Sequence, residues 1–265
     1  MSLLVTMTRS DALLARRNPV AKLAASLLLT LALLSTLDPL APAVAIAVEL
    51  AVVPLFGLSY RHLLRRAGPL LVAGAGIVIS LMFFAAEREG AVLFGIGPFV
   101  VTTGVLASAG ALTLRLFAVA LPAIIVLATT DPTDLADALI QNVRAPARFA
   151  IGALAAFRLL PLLGAEWRSL TLARRARGLD AGHNPFVALR LFASTTFALL
   201  VGAIRRGTRL AMAMDARGFD SGVPRTMARV QRFGLADWAL ILAGAAVGVG
   251  AVALSVALGV FRPLL

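Results

Sequence analysis

Ala173-Arg174-Arg175-Ala176-Arg177-Gly178-Leu179-Asp180 and Ala213-Met214-Asp215-Ala216-Arg217-Gly218-Phe219-Asp220 are two octets of one chain that agree at five of eight positions. Each closes an apolar-patterned stretch with an Arg where a helix would make its last turn. Each then places Gly, the residue that most easily takes the left-handed conformation past a helix end. Two explanations fit. An Arg there faces the negative end of the helix dipole and stabilises it by roughly 0.3–1 kcal/mol, with Gly as an ordinary stop. Dipole compensation does not require the same Ala before the Arg, nor an apolar residue and Asp after the Gly, twice in one chain. A duplicated, protruding Arg suggests a duplicated receiving site, with Ala176, Arg177 and Gly178 in one copy and Ala216, Arg217 and Gly218 in the other.

Working outward, both octets end long helices. The pattern predicts one helix over 147–177, about 45 Å long if continuous, and a second over 186–217. Leu154, Phe157, Leu162 and Leu170 alternate in the first with Arg148, Arg158, Glu166 and Arg168, and Pro161 is expected to kink it. Asp131-Pro132 upstream is a helix start, with Asp able to cap and Pro preset for the first helical position. The two long helices are too charged for ordinary lipid-facing spans and too apolar to stand free in water. They require lipid, another protein or the rest of this chain against one face.

The surrounding sequence is that of a membrane protein. Of 265 residues, 60% are hydrophobic and 14% charged, against about 45–50% apolar in soluble domains, and the mean hydropathy is +0.93. Apolar runs predict spans at 21–37, 40–59, 68–86, 103–128 and 235–260, and a short Gly- and Pro-broken piece at 91–101 reads as re-entrant or interfacial. The first run lacks a cleavage site and is taken as a retained span. The expectation is an all-α integral membrane protein of about five transmembrane helices: a membrane domain over 1–130, a segment of long amphipathic helices over 131–234 on the cytoplasmic side, and a last span over 235–265. Twenty-two of the 25 Lys and Arg residues fall in the N-terminal segment, the 61–66 loop and 131–234. By the positive-inside rule those parts are cytoplasmic, with the N-terminus inside and the C-terminus outside.

Several chemistries find no support. There is no cysteine, hence no disulfide framework or thiolate metal site, and His62 and His183 are far apart beside loop residues, so no metal centre is expected. A Walker-type phosphate loop is missing, so ATP is not expected on this chain. The net charge of +12 is spread along apolar helices without a nucleic-acid-binding signature, and nucleic acid is not expected as a partner. No cluster of acid, base and nucleophile suggests catalysis. Glu49 and Arg115 are the ionisable residues placed deepest in predicted spans, where charges are costly and suggest function. They are candidates for an intramembrane pair, and the alternative reading of the chain is a self-contained secondary carrier or channel that uses them. Gly244 and Gly248 form a small-residue helix-packing motif, expected to serve internal packing.

The paired Ala-Arg-Gly motifs at 176–178 and 216–218, on long helices after several membrane spans, resemble the transmembrane T component of energy-coupling-factor transporters, the EcfT/CbiQ/BioN family. Asn18-Pro19-Val20-Ala21-Lys22-Leu23, Asp131-Pro132-Thr133-Asp134-Leu135 and Phe157-Arg158-Leu159-Leu160-Pro161 occur in the order that this resemblance requires, so it covers about 18–219. It implies that 131–234 is a coupling domain and that each Arg motif docks on one of two ABC ATPase subunits. It further implies that ATP and Mg are held by those partners, and that a separate membrane S component binds a vitamin or metal for uptake.

Overall fold

The computed structural model describes residues 12–84, 90–96, 99–182, 184–219, 221 and 226–261. Local chemistry sets most helix ends. Asn18 accepts a hydrogen bond from the Val20 N–H at 2.9 Å with Pro19 in the first helical position, and α1 (Pro19–Leu34) begins there. α2 (Leu40–Val52) gives way at Pro54 to a 3-10 turn over Val53–Phe56, and Gly57 at φ +71° ends it. α3 (Tyr60–Phe84) is followed by β1 (Val92–Ile96) and β2 (Phe99–Thr102), paired antiparallel from Val92 opposite Thr102 to Ile96 opposite Phe99. α4 (Thr103–Thr129) leads to α5 (Pro132–Asn142), whose start Asp131 caps by accepting from the Thr133 N–H at 2.7 Å. α6 (Ala147–Ala176), α7 (Pro185–Ala216) and α8 (Leu235–Ala257) complete the chain. Apart from the one hairpin, the regular elements among the described residues are helical, and the fold is that of an all-α membrane protein.

The chain divides into two compact units, 1–144 with 231–265, and 145–230. In the first, α1 packs chiefly on α8 and also on α4, and α2 packs on α4 and α8. Gly244 and Gly248 make that packing close. A Cβ on Gly244 would stand 2.7 Å from the Ala25 carbonyl oxygen, and one on Gly248 would stand 2.7 Å from the Ala32 Cβ. The small-residue motif therefore serves internal packing. One apolar cluster joins Leu29 and Leu33 of α1 to Ala41 and Ala45 of α2, Ala118 of α4 and Ala251 of α8. A second joins Val53 and Phe56 to Leu63 of α3 and to Leu121 and Ile125 of α4.

Two buried polar knots tie the helix ends. At the start of α1, Lys22 Nζ donates to the Ala15 and Thr129 carbonyls at 2.7 and 3.0 Å, and the Asn18 N–H donates to Asp237 Oδ1 at 3.0 Å. Asp237 Oδ2 also accepts from the Gly234 N–H at 2.9 Å, which fixes the start of α8. At the opposite end of α1, buried Asp38 accepts from the Thr36 hydroxyl at 2.5 Å, the Ala41 N–H at 3.3 Å and the Ser255 hydroxyl.

The membership of the long apolar helices differs from the sequence expectation. α1 and α2 have 16 and 13 residues, short of the roughly 20 needed to cross a hydrocarbon core. Thr36 and Asp38 fold back into the buried knot, and Pro54 with Gly57 cuts the run expected at 40–59. Among the described residues, the five helices long and apolar enough to cross are α3, α4, α6, α7 and α8. α6 and α7 qualify because their charges are sparse enough to leave an 18-residue apolar window in each. The piece expected to be re-entrant or interfacial at 91–101 holds the paired strands β1 and β2, and α5 belongs to the first unit and packs on α1.

Candidate functional site: two arginine-capped helix ends

α6 and α7 end in the same backbone device. In α6 the Gly178 N–H donates to the Arg175 carbonyl at 2.9 Å and the Leu179 N–H to the Arg174 carbonyl at 3.0 Å. In α7 the Gly218 N–H donates to the Asp215 carbonyl at 2.9 Å and the Phe219 N–H to the Met214 carbonyl at 3.0 Å. Gly178 and Gly218 sit at φ +76° and +74°, and Arg177 and Arg217 at φ −90° and −91°. Both are Schellman motifs, in which a left-handed residue turns the chain so that two orphan carbonyls are satisfied and an apolar residue follows. The geometry accounts for the Gly and for the Leu or Phe after it. It leaves the Arg unexplained, because neither guanidinium has a hydrogen-bond or ion-pair partner among the described residues and both residues are exposed. Ala176 and Ala216, equally exposed, close the last helical turn beneath them. Asp180 forms a long contact of 4.0 Å with Arg175; its counterpart Asp220, like His183, lies outside the described residues.

The second unit holds these ends on a hairpin. Arg174 Nη1 donates to the Leu191 carbonyl at 3.0 Å and to the Ser194 and Thr195 hydroxyls at 2.5 and 2.8 Å. Further back along α6, Glu166 receives a bidentate pair from Arg206 at 2.5 and 2.7 Å, and the Trp167 ring lies 5.2 Å from that of Phe192. The order of these contacts makes α6 and α7 antiparallel. The Arg177 end therefore stands by the turn of the hairpin, and the Arg217 end stands at the far end of α7, roughly 40–50 Å away at 1.5 Å per residue. A cleft of about 260 Å³ between Trp167, Arg174, Leu179 and Phe192 lies behind the Arg177 end. Sequence reasoning did not single out Arg174, Glu166 or Arg206. Each is one more charge on a helix until the hairpin register is known.

The candidate pair of Glu49 and Arg115 is not formed. Arg115 Nη2 donates to the Leu34 carbonyl at 2.7 Å, capping the last turn of α1, and both carboxyl oxygens of buried Glu49 lack a hydrogen-bond partner among the described residues. Glu49 lies toward the Lys22 end of the first unit and Arg115 at the Leu34 end, because α2 returns antiparallel to α1. Sequence depth alone could not reveal that vertical offset.

The chain is thus a multi-pass membrane protein carrying a hairpin with two matched, Arg-bearing helix ends. A family described as "Cobalt transport protein", CbiQ, matches residues 11–228. The energy-coupling factor transporter transmembrane protein EcfT of Exiguobacterium sibiricum is 33% identical over 200 residues, covering 72% of this chain and 75% of that protein. EcfT of Limosilactobacillus fermentum is 28% identical over 228 residues, covering 83% and 84%. EcfT 1 of Listeria monocytogenes is 28% identical over 203 residues, covering 74% and 76%. The chain belongs to the EcfT/CbiQ family, the transmembrane components of energy-coupling-factor transporters.

Proposed function

We propose that this membrane subunit couples two ABC ATPase subunits to a separate substrate-binding membrane protein, driving uptake of a vitamin or metal. The observation that carries the reading is the pair of matched Schellman ends, each presenting an exposed guanidinium without a partner among the described residues. A guanidinium offers five donors in a planar fork suited to carboxylates or carbonyls of a receiving groove. The spacing supports two receivers, since a globular domain of about 250 residues is roughly 45 Å across. Two such subunits side by side would each meet one end. ATP and Mg²⁺ are then held by those subunits. A small movement between them displaces the two ends relative to each other, and α6 and α7 carry it as rigid bodies to the bilayer and the substrate-binding protein.

Isolation of the tagged chain from native membranes tests the assignment. ATPase subunits and a second membrane protein are expected to accompany it, and the chain reconstituted alone should transport nothing. Uptake by the lone chain would favour a self-contained carrier instead. The same reading puts the hairpin turn and the N-terminus in the cytoplasm and the C-terminus outside. A cysteine at position 181 in place of Ala181 should be labelled only from the cytoplasmic side, and labelling from outside would reverse the orientation.

A further inference from the structure

Glu49 of α2 is 6% exposed, and neither of its carboxyl oxygens finds a donor or acceptor among the described residues. Buried polar groups are rarely left so. The carboxyl lines a cleft of about 140 Å³ walled by α1, α2, α4 and α8. Its wall takes positions i, i+3, i+4 and i+7 of α1 counted from Lys22, and the same spacing of α8 counted from Leu240. That makes a groove about 10 Å long. At its rim Val48 and Val52 of α2 and Val247 of α8 are half-buried and Ala243 is exposed, so it opens sideways between α2 and α8.

The chemistry of the wall narrows the occupant. Apart from Glu49 it is almost wholly apolar: the Ser26 hydroxyl already donates to the Leu23 carbonyl at 2.9 Å, and Lys22 Nζ already donates to two carbonyls. A hard metal ion requires about six oxygen ligands, and the wall offers one carboxylate. A water cluster requires two to four polar partners for each molecule. A long apolar stem ending in a cation fits both features, and that is the form of a Lys or Arg side chain. Acidic groups inside membranes pair with basic ones, and no basic side chain among the described residues of this unit is hydrogen-bonded to Glu49. The carboxyl lies seven residues inside the end of the helical stretch 40–56, about 10 Å from it.

We propose that the α2–α8 cleft receives a Lys or Arg side chain from a transmembrane helix of a partner membrane protein, with Glu49 as its counter-charge. The inference rests on the coupling reading above for the existence of such a partner. It makes this cleft a docking point on the membrane unit, separate from the Arg177 and Arg217 ends.

The test places the photo-crosslinking residue p-benzoylphenylalanine at position 48 in place of Val48 and isolates the complex from native membranes after irradiation. The expected adduct is with a transmembrane peptide of another protein that bears Lys or Arg within one helical turn of the linked residue. Glu49→Gln, which keeps the shape, should lower that adduct by about tenfold or more, and Glu49→Asp should retain part of it, with ATPase subunits bound equally in all. Adducts confined to phospholipid, the absence of any protein adduct, or an adduct undiminished by Glu49→Gln in a monodisperse complex would overturn the proposal. Failure of the coupling reading looks different: the unsubstituted complex would then lack ATPase subunits.

Discussion

The two units put similar apolar sequence to opposite uses. In the first, α1 and α8 approach until Gly244 and Gly248 touch backbone and side chain of α1, and buried knots of Lys22, Asp237 and Asp38 close both ends of α1. In the second, α6 has no buried residue and α7 has only Thr195. Phe149, Leu172, Phe186, Leu189 and Phe197 are each at least 65% exposed. Large apolar side chains exposed in such number mark surfaces that meet a protein or lipid. The hairpin is held instead by the polar contacts of Arg174, the Glu166–Arg206 pair and the Trp167–Phe192 ring contact. The first unit carries its own core, while the second leaves the apolar faces of its two helices uncovered within the hairpin.

That contrast predicts a ranking for three substitutions, read as thermal stability of the purified chain and as local hydrogen exchange. Gly244→Leu should be the most damaging, because the added carbon meets the Ala25 backbone and cannot be relieved by a rotamer change. Overpacking of this kind typically costs about 1–3 kcal/mol and occasionally more, and with backbone in the way the variant should fail to accumulate as a monodisperse species. Arg174→Ala should come second. It leaves the Leu191 carbonyl and Thr195 hydroxyl without their cross-helix donor, a loss of about 1–3 kcal/mol, visible as faster exchange around 191–195. Gly178→Ala should be mildest. Nothing lies within 4 Å of the new carbon, and only the positive φ opposes it, at about 1–2 kcal/mol. If Gly178→Ala destabilised the chain as much as Gly244→Leu, the division into a self-packed and an open unit would be wrong.

What could be read beforehand was local. Asp131-Pro132 as a helix start and Gly178 and Gly218 as helix stops follow from the chemistry of two or three neighbouring residues, and the structure bears them out. The apolar residue after each Gly was also in the sequence, but its role in a Schellman turn needs the backbone hydrogen bonds. Features that depend on vertical register were not legible. Glu49 and Arg115 are both deep in apolar runs, yet α2 returns antiparallel to α1 and sets them at different levels. The shortness of α1 and α2 was hidden because Thr36, Asp38 and Pro54 interrupt runs whose average hydropathy remains high. The hairpin at Val92–Thr102 was hidden because a brief Gly-containing apolar stretch has no period long enough to separate strand from interfacial coil.

Whether Arg177 and Arg217 dock, beyond complementing their helix dipoles, is decided by substrate uptake and ATPase-subunit retention in one reconstituted complex. The variants are Arg177→Ala, Arg217→Ala, the double Ala variant and the two Lys replacements. Dipole complementation predicts a loss of roughly 0.3–1 kcal/mol per Ala, with Lys fully adequate and uptake nearly intact. Docking predicts about 2–5 kcal/mol of binding lost per Arg, much of it from partner groups left unpaired, and only partial rescue by Lys, which lacks the planar fork. The double Ala variant should remain folded in the membrane, release its ATPase subunits and lose uptake. Near-normal uptake by that variant, with its ATPase subunits still bound, would contradict the account.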